Sequence, residues 1–223
     1  ESVFVTLDAT TLRSLEIEQT IRSNTIEGSL LWVMQRCRTA MGKRLLRQWL
    51  CNPLSEKQSI EKRQHVVCAF VHDAEMLRTT HTSLDKIQDI ARISGRISMG
   101  RVTPRDIVAL GQSIHVCEEL AHGIEGPSTG HIKKEIDALS KSMMPLALLI
   151  QSQCNEDAPA HMRAGGLFKD GVDSALDEAR MLQRDAGSWL STYQAELTEQ
   201  TGIGTMKVGY NKVFGYYIEV SKA

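Results

Sequence analysis

The sequence predicts a mainly α protein, a helical core bundle with long helices and a small antiparallel β-hairpin at its C-terminal end. Three observations carry this. Apolar residues recur every three or four positions through most of the 223 residues, the spacing that puts them on one face of a helix. Helix starts and stops are written out in capping residues, prolines and glycines. After Thr201-Gly202 the apolar period drops from 3.6 to two, the period of a strand.

Over residues 29–50, Leu30, Leu31, Val33, Met34, Met41, Leu45, Leu46, Trp49 and Leu50 keep helical spacing, with Thr39 and Gly42 interrupting it. Two helices with a bend are expected, ended by Pro53, because a residue before proline is pushed out of the α region. Ser55-Glu56-Lys57-Gln58 reads as a capping box, followed by a helix with Ile60, Val67, Phe70 and Val71 inward. Thr103-Pro104-Arg105-Asp106 is a second start. Thr103 can cap, Pro104 suits the first helical position, and Asp106 complements the positive helix end. Its helix should turn Ile107, Leu110, Ile114, Cys117 and Leu120 to one side. Residues 123–130 are glycine- and proline-bearing and read as a loop, with another helix over about 131–153. Residues 154–171 read as a connector centred on Gly165-Gly166.

The longest periodic segment follows. Val172, Leu176, Ala179, Leu182, Ala186, Trp189, Tyr193 and Leu197 step by three or four, giving a helix about 40 Å long. Its seam resembles that of a coiled coil and calls for a partner helix, which nothing after it in the chain can supply. Trp189 is expected to be buried in that seam. In the hairpin, Met206, Val208 and Tyr210 alternate with Lys207, Gly209 and Asn211; Phe214, Tyr216, Ile218 and Val220 alternate with Gly215, Tyr217 and Glu219; Asn211-Lys212 is the turn. A lone hairpin is barely stable in water, so the chain is expected to stop inside a unit with further strands. It does not begin with Met, and a processed chain or a piece of something larger is expected.

Composition excludes several functions. Lys and Arg total 26 against 27 for Asp and Glu, so any attraction to nucleic acid must come from a local patch. No apolar run is long enough to span a membrane, and the start lacks the pattern of a signal peptide. The five cysteines, Cys37, Cys51, Cys68, Cys117 and Cys154, are widely spaced without a CxxC, which argues for reduced thiols. Gly42-Lys43 fails as a phosphate loop, since Cys37 and Arg44 stand where Gly and Ser or Thr are needed. A close approach of helices is the better reading of Gly42. His65 with Cys68 and His115 with Cys117 lack the second pair that structural zinc needs. Asp173 and Asp177 lie one turn apart and read as solvated surface. No catalytic, cofactor or metal residues are assigned.

Two basic groups remain. Arg36, Arg38, Lys43, Arg44 and Arg47 surround the Trp49 helix; they can touch phosphates, but pairing with neighbouring carboxylates or covering the core is favoured. Lys207, Asn211, Lys212 and Lys222 fall on one polar edge of the hairpin or at its turn. Such groups hold phosphate oxygens without reading bases; equally, lysines protect a strand edge. The pattern leaves both readings open.

Four stretches go further. Leu7-Asp8-Ala9-Thr10-Thr11-Leu12-Arg13-Ser14-Leu15-Glu16-Ile17 resembles the signature that opens the core domain of the MutS family. Residues 39–54, Thr-Ala-Met-Gly-Lys-Arg-Leu-Leu-Arg-Gln-Trp-Leu-Cys-Asn-Pro-Leu, are similar to the segment that follows it. Asp89-Ile90-Ala91-Arg92, with Arg101 and Pro104-Arg105-Asp106, resembles the next helices, Ala91 standing where an acidic residue is usual. Residues 207–220, Lys-Val-Gly-Tyr-Asn-Lys-Val-Phe-Gly-Tyr-Tyr-Ile-Glu-Val, resemble the family's DNA-clamp hairpin.

The resemblance implies a helical core and lever domain over residues 1–171, and a long lever helix with the first part of the clamp over 172–223. It implies a segment that links an ATPase to a DNA-backbone clamp, with Lys207, Asn211, Lys212 and Lys222 as backbone contacts. No catalysis and no cofactor are expected of the segment itself; ATP and Mg are expected of the full-length protein. So are a homodimer, non-specific contact with double-stranded DNA, downstream mismatch-repair proteins, no membrane, and a cytoplasmic, nucleoid-associated location. The alternative is a helical protein-interaction adaptor with no DNA role, which would take a peptide along the hairpin edge by strand addition.

Overall fold

The computed structural model describes residues 3–211, 213 and 215–221. Two compact units part between Phe168 and Lys169.

In the first unit, α1 (Ala9–Ser14) is capped by Asp8, α2 (Leu30–Met34) by Ser29 and α3 (Ala40–Cys51) by Thr39, each side chain accepting from an amide of the first turn. The expected pair of helices over residues 29–50 is therefore α2 and α3. Backbone bonds from Val5 N to Pro53 O and from Ser55 N to Val3 O tie the start of the chain to the segment after α3. This overturns the capping box expected at Ser55. The backbone of Ser55 belongs to that pairing, so α4 (Lys57–His72) starts one residue later with Glu56 at its cap and no side-chain cap bond. Ser59 instead donates its hydroxyl to the Glu56 carboxylate at 2.5 Å.

The inward face of α4 is corrected too. Ile60 and Phe70 are half-buried, whereas Val67 and Val71 are 58% and 70% exposed. The covered face runs through Arg63, Val66 and Ala69, the side on which the Arg63 guanidinium lies 3.6 Å above the Trp49 ring.

Helices α5 (Ala74–Leu84) and α6 (Ile90–Ser98) take their caps from Asp73 and Asp89. Helix α7 (Pro104–Gly123) opens with the full reciprocal capping box of Thr103 and Asp106. It packs along α8 (Gly130–Gln153). Ile93, Leu110, Ile114 and Ala147 form one buried cluster, and Val108, Ile150, Cys154 and Ala158 a second. Burying a side chain of this size contributes about 1.5–3 kcal/mol, so α7 is the element around which the unit is organised.

The close helix approach occurs at Gly111, not Gly42. A Cβ on Gly111 would stand 3.0 Å from Ile150 Cγ2 across the α7–α8 contact. One on Gly42 would meet Thr39 Oγ1 at 3.0 Å and Cys37, residues of its own helix entry.

The connector doubles back. Cys154 and Phe168 form an antiparallel bridge, and the Asn155 amide donates to the carbonyls of Gly166 and Phe168. Gly165 and Gly166 supply the positive φ (69° and 77°) that the reversal needs.

The second unit is α9 (Ser174–Thr201) and the hairpin β1 (Met206–Asn211) and β2 (Gly215–Val220). Asp173 caps α9, and Gly202 at φ 71° closes it in the left-handed conformation. The expected buried seam is not found within this unit. Trp189 is 61% exposed, Ala179 is exposed, and the others are at most half-buried; the side chain of Leu182 lies outside the described part. The hairpin lies against α9 chiefly through β1, and a six-residue strand covers too little of a 28-residue helix.

Candidate functional site

Strand period and register decide which hairpin side chains share a face. Met206 pairs with Val220, Val208 with Ile218 and Tyr210 with Tyr216, so these make one apolar face. On the other, Lys207 is opposite Glu219, Gly209 opposite Tyr217 and Asn211 opposite Gly215. The Tyr217 ring lies directly over Gly209: a Cβ there would be 2.8 Å from Tyr217 Cζ. Helix α9 holds the hairpin through the Gln194 side-chain carbonyl, which accepts from Val208 N at 2.9 Å. Trp189 and Tyr193, stacked with centroids 5.1 Å apart, form with Val208, Tyr216 and Ile218 the walls of an open groove.

Lys207 is exposed on the polar face, and Glu219 across from it offsets part of its charge. Asn211 Oδ1 accepts from Val213 N at 3.0 Å, which makes Asn211 the residue that shapes the turn. Lys212 and Lys222 lie outside the described residues, as does Phe214. Sequence reasoning missed Gln194 and the Gly209–Tyr217 contact. A glycine inside a strand was a signal for the latter; a glutamine among glutamates on a long helix offered none.

Most of the basic cluster near Trp49 is bound by carboxylates. Arg44 donates to both oxygens of Asp89 at 2.7 and 2.8 Å, and this fork lowers the Asp89 carboxyl from the ordinary 3.8 to about 2. Arg47 donates to Glu18, and Arg38 stands 3.7 Å from Asp85. Arg96 reaches Asp106 at 2.7 Å, and Arg105 donates to the Ala158 carbonyl. Arg92, beside Ala91, approaches Asp89 at 3.5 Å.

The other pairings are structural. Asp177 accepts from Gly171 N at 2.8 Å and from Arg180, so with the capping Asp173 it anchors the entry to α9. Cys68 sits 3.4 Å from His72 Nδ1, not from His65, and burial pushes the Cys117 thiol up. Cys37, Cys51, Cys68 and Cys117 are free thiols. Among the described residues no three His, Cys, Asp or Glu side chains converge as a metal site, and no helix is long and apolar enough to cross a membrane.

Thus the stretches at 7–17, 39–54, 89–92 and 104–106 take up capping and ion-pair positions in one unit, and the stretch at 207–220 forms the hairpin. The family described as MutS domain III matches residues 10–207. The chain belongs to the MutS domain III family. It is 35% identical over 217 residues to a DNA mismatch repair protein MutS of Alkaliphilus oremlandii, covering 97% of this chain and 24% of that one. Proteins of the same description from Geobacillus sp. and Methanothrix thermoacetophila are 35% and 36% identical over 98% and 99% of the chain, which covers 25% and 26% of each. The domain III chain therefore spans about a quarter of the length of these relatives.

Proposed function

We propose that this domain III chain acts in DNA mismatch repair as the lever that connects an ATPase to a DNA-backbone clamp, with the hairpin as the beginning of the clamp. The carrying observation is a two-stranded hairpin braced by Gln194 near the C-terminal end of a 28-residue helix, in a chain whose MutS relatives are named for mismatch repair. A helix of that length spans about 42 Å at 1.5 Å per residue and passes an axial displacement along without unwinding. Lys207, Asn211, Lys212 and Lys222 hold phosphate oxygens. Contacts of this type position a protein on duplex DNA without reading sequence. The whole protein supplies ATP and Mg binding, dimerisation and the surfaces for downstream repair proteins, and it works in the cytoplasm on the nucleoid.

The test is duplex-DNA binding by a MutS protein containing this segment, measured across salt concentration, with and without Lys207→Ala and Lys212→Ala. Each lost phosphate contact should flatten the log–log salt slope by about 0.9 and weaken binding similarly on all sequences. An unchanged slope removes these lysines from the interface. The adaptor reading draws on the exposure of five of the six β2 residues; it requires a peptide to add along β2 with little salt dependence.

A further inference from the structure

Helix α4 ends with a thiol and an imidazole on consecutive turns. Cys68 and His72 stand four residues apart, so their side chains leave the same face of the helix, and both are exposed. Cys68 Sγ lies 3.4 Å from His72 Nδ1. Zinc holds a thiolate sulfur at about 2.3 Å and an imidazole nitrogen at about 2.0–2.1 Å in a tetrahedron, which places the two donor atoms about 3.5 Å apart. The pair therefore already stands at the separation that one tetrahedral ion imposes. The same nitrogen lies 2.8 Å from the Cys68 carbonyl oxygen, so the ring is turned back over the Cys68 turn. The position favours a cation for a second reason. His72 is the last residue of α4, and the carbonyl end of a helix carries partial negative charge. His65, also exposed and nearer to Cys68 in sequence, lines a different groove with Gln58, Lys62 and His131.

We propose that Cys68 and His72 chelate a single borderline-soft divalent cation of the zinc type across the last turn of α4. Cys68 releases its thiol proton to solvent and supplies a thiolate. His72 supplies the Nδ1 lone pair, its ring proton residing on Nε2. One proton leaves per ion bound, and acid opposes binding. Among the described residues no third His, Cys, Asp or Glu joins the pair as a metal group, so solvent fills the other two positions of the tetrahedron. A hard ion such as magnesium, which takes oxygen ligands, is disfavoured by this donor set. The ion ties residue 68 to residue 72 beside Asp73, which ends α4 and caps α5, and so stiffens the corner between the two helices. The site rests on neither the hairpin nor the DNA reading.

The probe is cobalt(II), a coloured substitute for zinc. Titrated into the reduced chain, it should give a thiolate-to-cobalt charge-transfer band together with the visible bands of tetrahedral cobalt. Excess zinc should abolish both, and magnesium should leave them untouched. Cys68→Ser should lose the charge-transfer band. His72→Ala should bind cobalt at least about tenfold more weakly. His65→Ala should bind as the parent does, because His65 faces the other groove. Zinc should raise the melting temperature of the parent and not that of His72→Ala. All three side chains are exposed, so the variants should fold, which circular dichroism verifies. Absence of the charge-transfer band overturns the proposal, and its survival in Cys68→Ser does so by placing the ion on another cysteine. Equal binding by His72→Ala reduces the site to a lone thiol and overturns it as well. So does a loss in His65→Ala as large as in His72→Ala, or one ion shared between two chains.

Discussion

Asp89 is a residue with two tasks. Its carboxylate caps α6 by accepting from Arg92 N and forms the fork with Arg44 of α3, so one side chain joins two helices 45 positions apart in sequence. With its carboxyl lowered from 3.8 to about 2, the sign is that of a depressed acid. Its stabilisation is fully present above about pH 4 and is lost as pH falls through 2. Asp89→Asn should therefore lower the melting temperature at pH 7 and flatten its dependence on pH below 4, the loss at neutral pH being about 1–3 kcal/mol. Acid melts of the two proteins that run parallel would contradict the role. Gly111 and Gly95 predict opposite signs for one substitution. Gly111→Ala drives a Cβ to 3.0 Å from Ile150 and should destabilise by about 1–3 kcal/mol. Gly95, in α6 with nothing within 4 Å of an added Cβ, should gain about 0.5–1 kcal/mol as alanine. Chemical denaturation of both variants checks the pair.

At the scale of elements, the Thr103 cap and the buried side of α7 were legible, whereas the Ser55 cap and the covered sides of α4 and α9 were not. Thr103-Pro104-Arg105-Asp106 reads as a helix start from sequence because its partners lie within three residues, and the structure has the complete box. Thr103→Ala should cost about 1 kcal/mol in a denaturant melt. The Ser55 cap failed because a distant partner, Val3, took its backbone. For α9, periodicity predicted a helix and found one, but it also predicted a buried Trp189. Truncating a buried Trp costs about 3–5 kcal/mol. At 61% exposure, Trp189→Ala in this chain should cost less than about 1 kcal/mol, the loss being its stack on Tyr193. A cost above 3 kcal/mol would restore the seam expected from sequence.

Across the whole molecule, buried apolar side chains are unevenly shared. Every buried hydrophobic residue among those described lies in the first unit except Met206. Amide exchange should accordingly be slowest in the middle of α7 and α8, and orders of magnitude faster in α9 and the hairpin of the chain studied alone. Uniform protection across both units would show a cooperativity that their cores do not account for. Arg163, exposed in the 3₁₀ turn Met162–Ala164 beside Gly165 and Gly166, should be the first site of limited tryptic cleavage.

The sequence by itself determined the mainly α class, the two short helices before Pro53, the Thr103 start, the connector centred on Gly165-Gly166, the terminal hairpin and the MutS resemblance. All of these rest on local periods, caps and turn residues, or on motifs read in order. Only the tertiary structure decided which side of α4 is covered, which glycine admits a neighbouring helix, and that Arg44 and Arg47 are ion-paired while, among the described residues, Arg36 and Lys43 are not. It alone placed Gln194 against Val208 and left Trp189 in solvent. Spacing along a helix says which residues share a face. Whether that face meets a carboxylate, another helix or water depends on residues tens of positions away, and no local pattern records them.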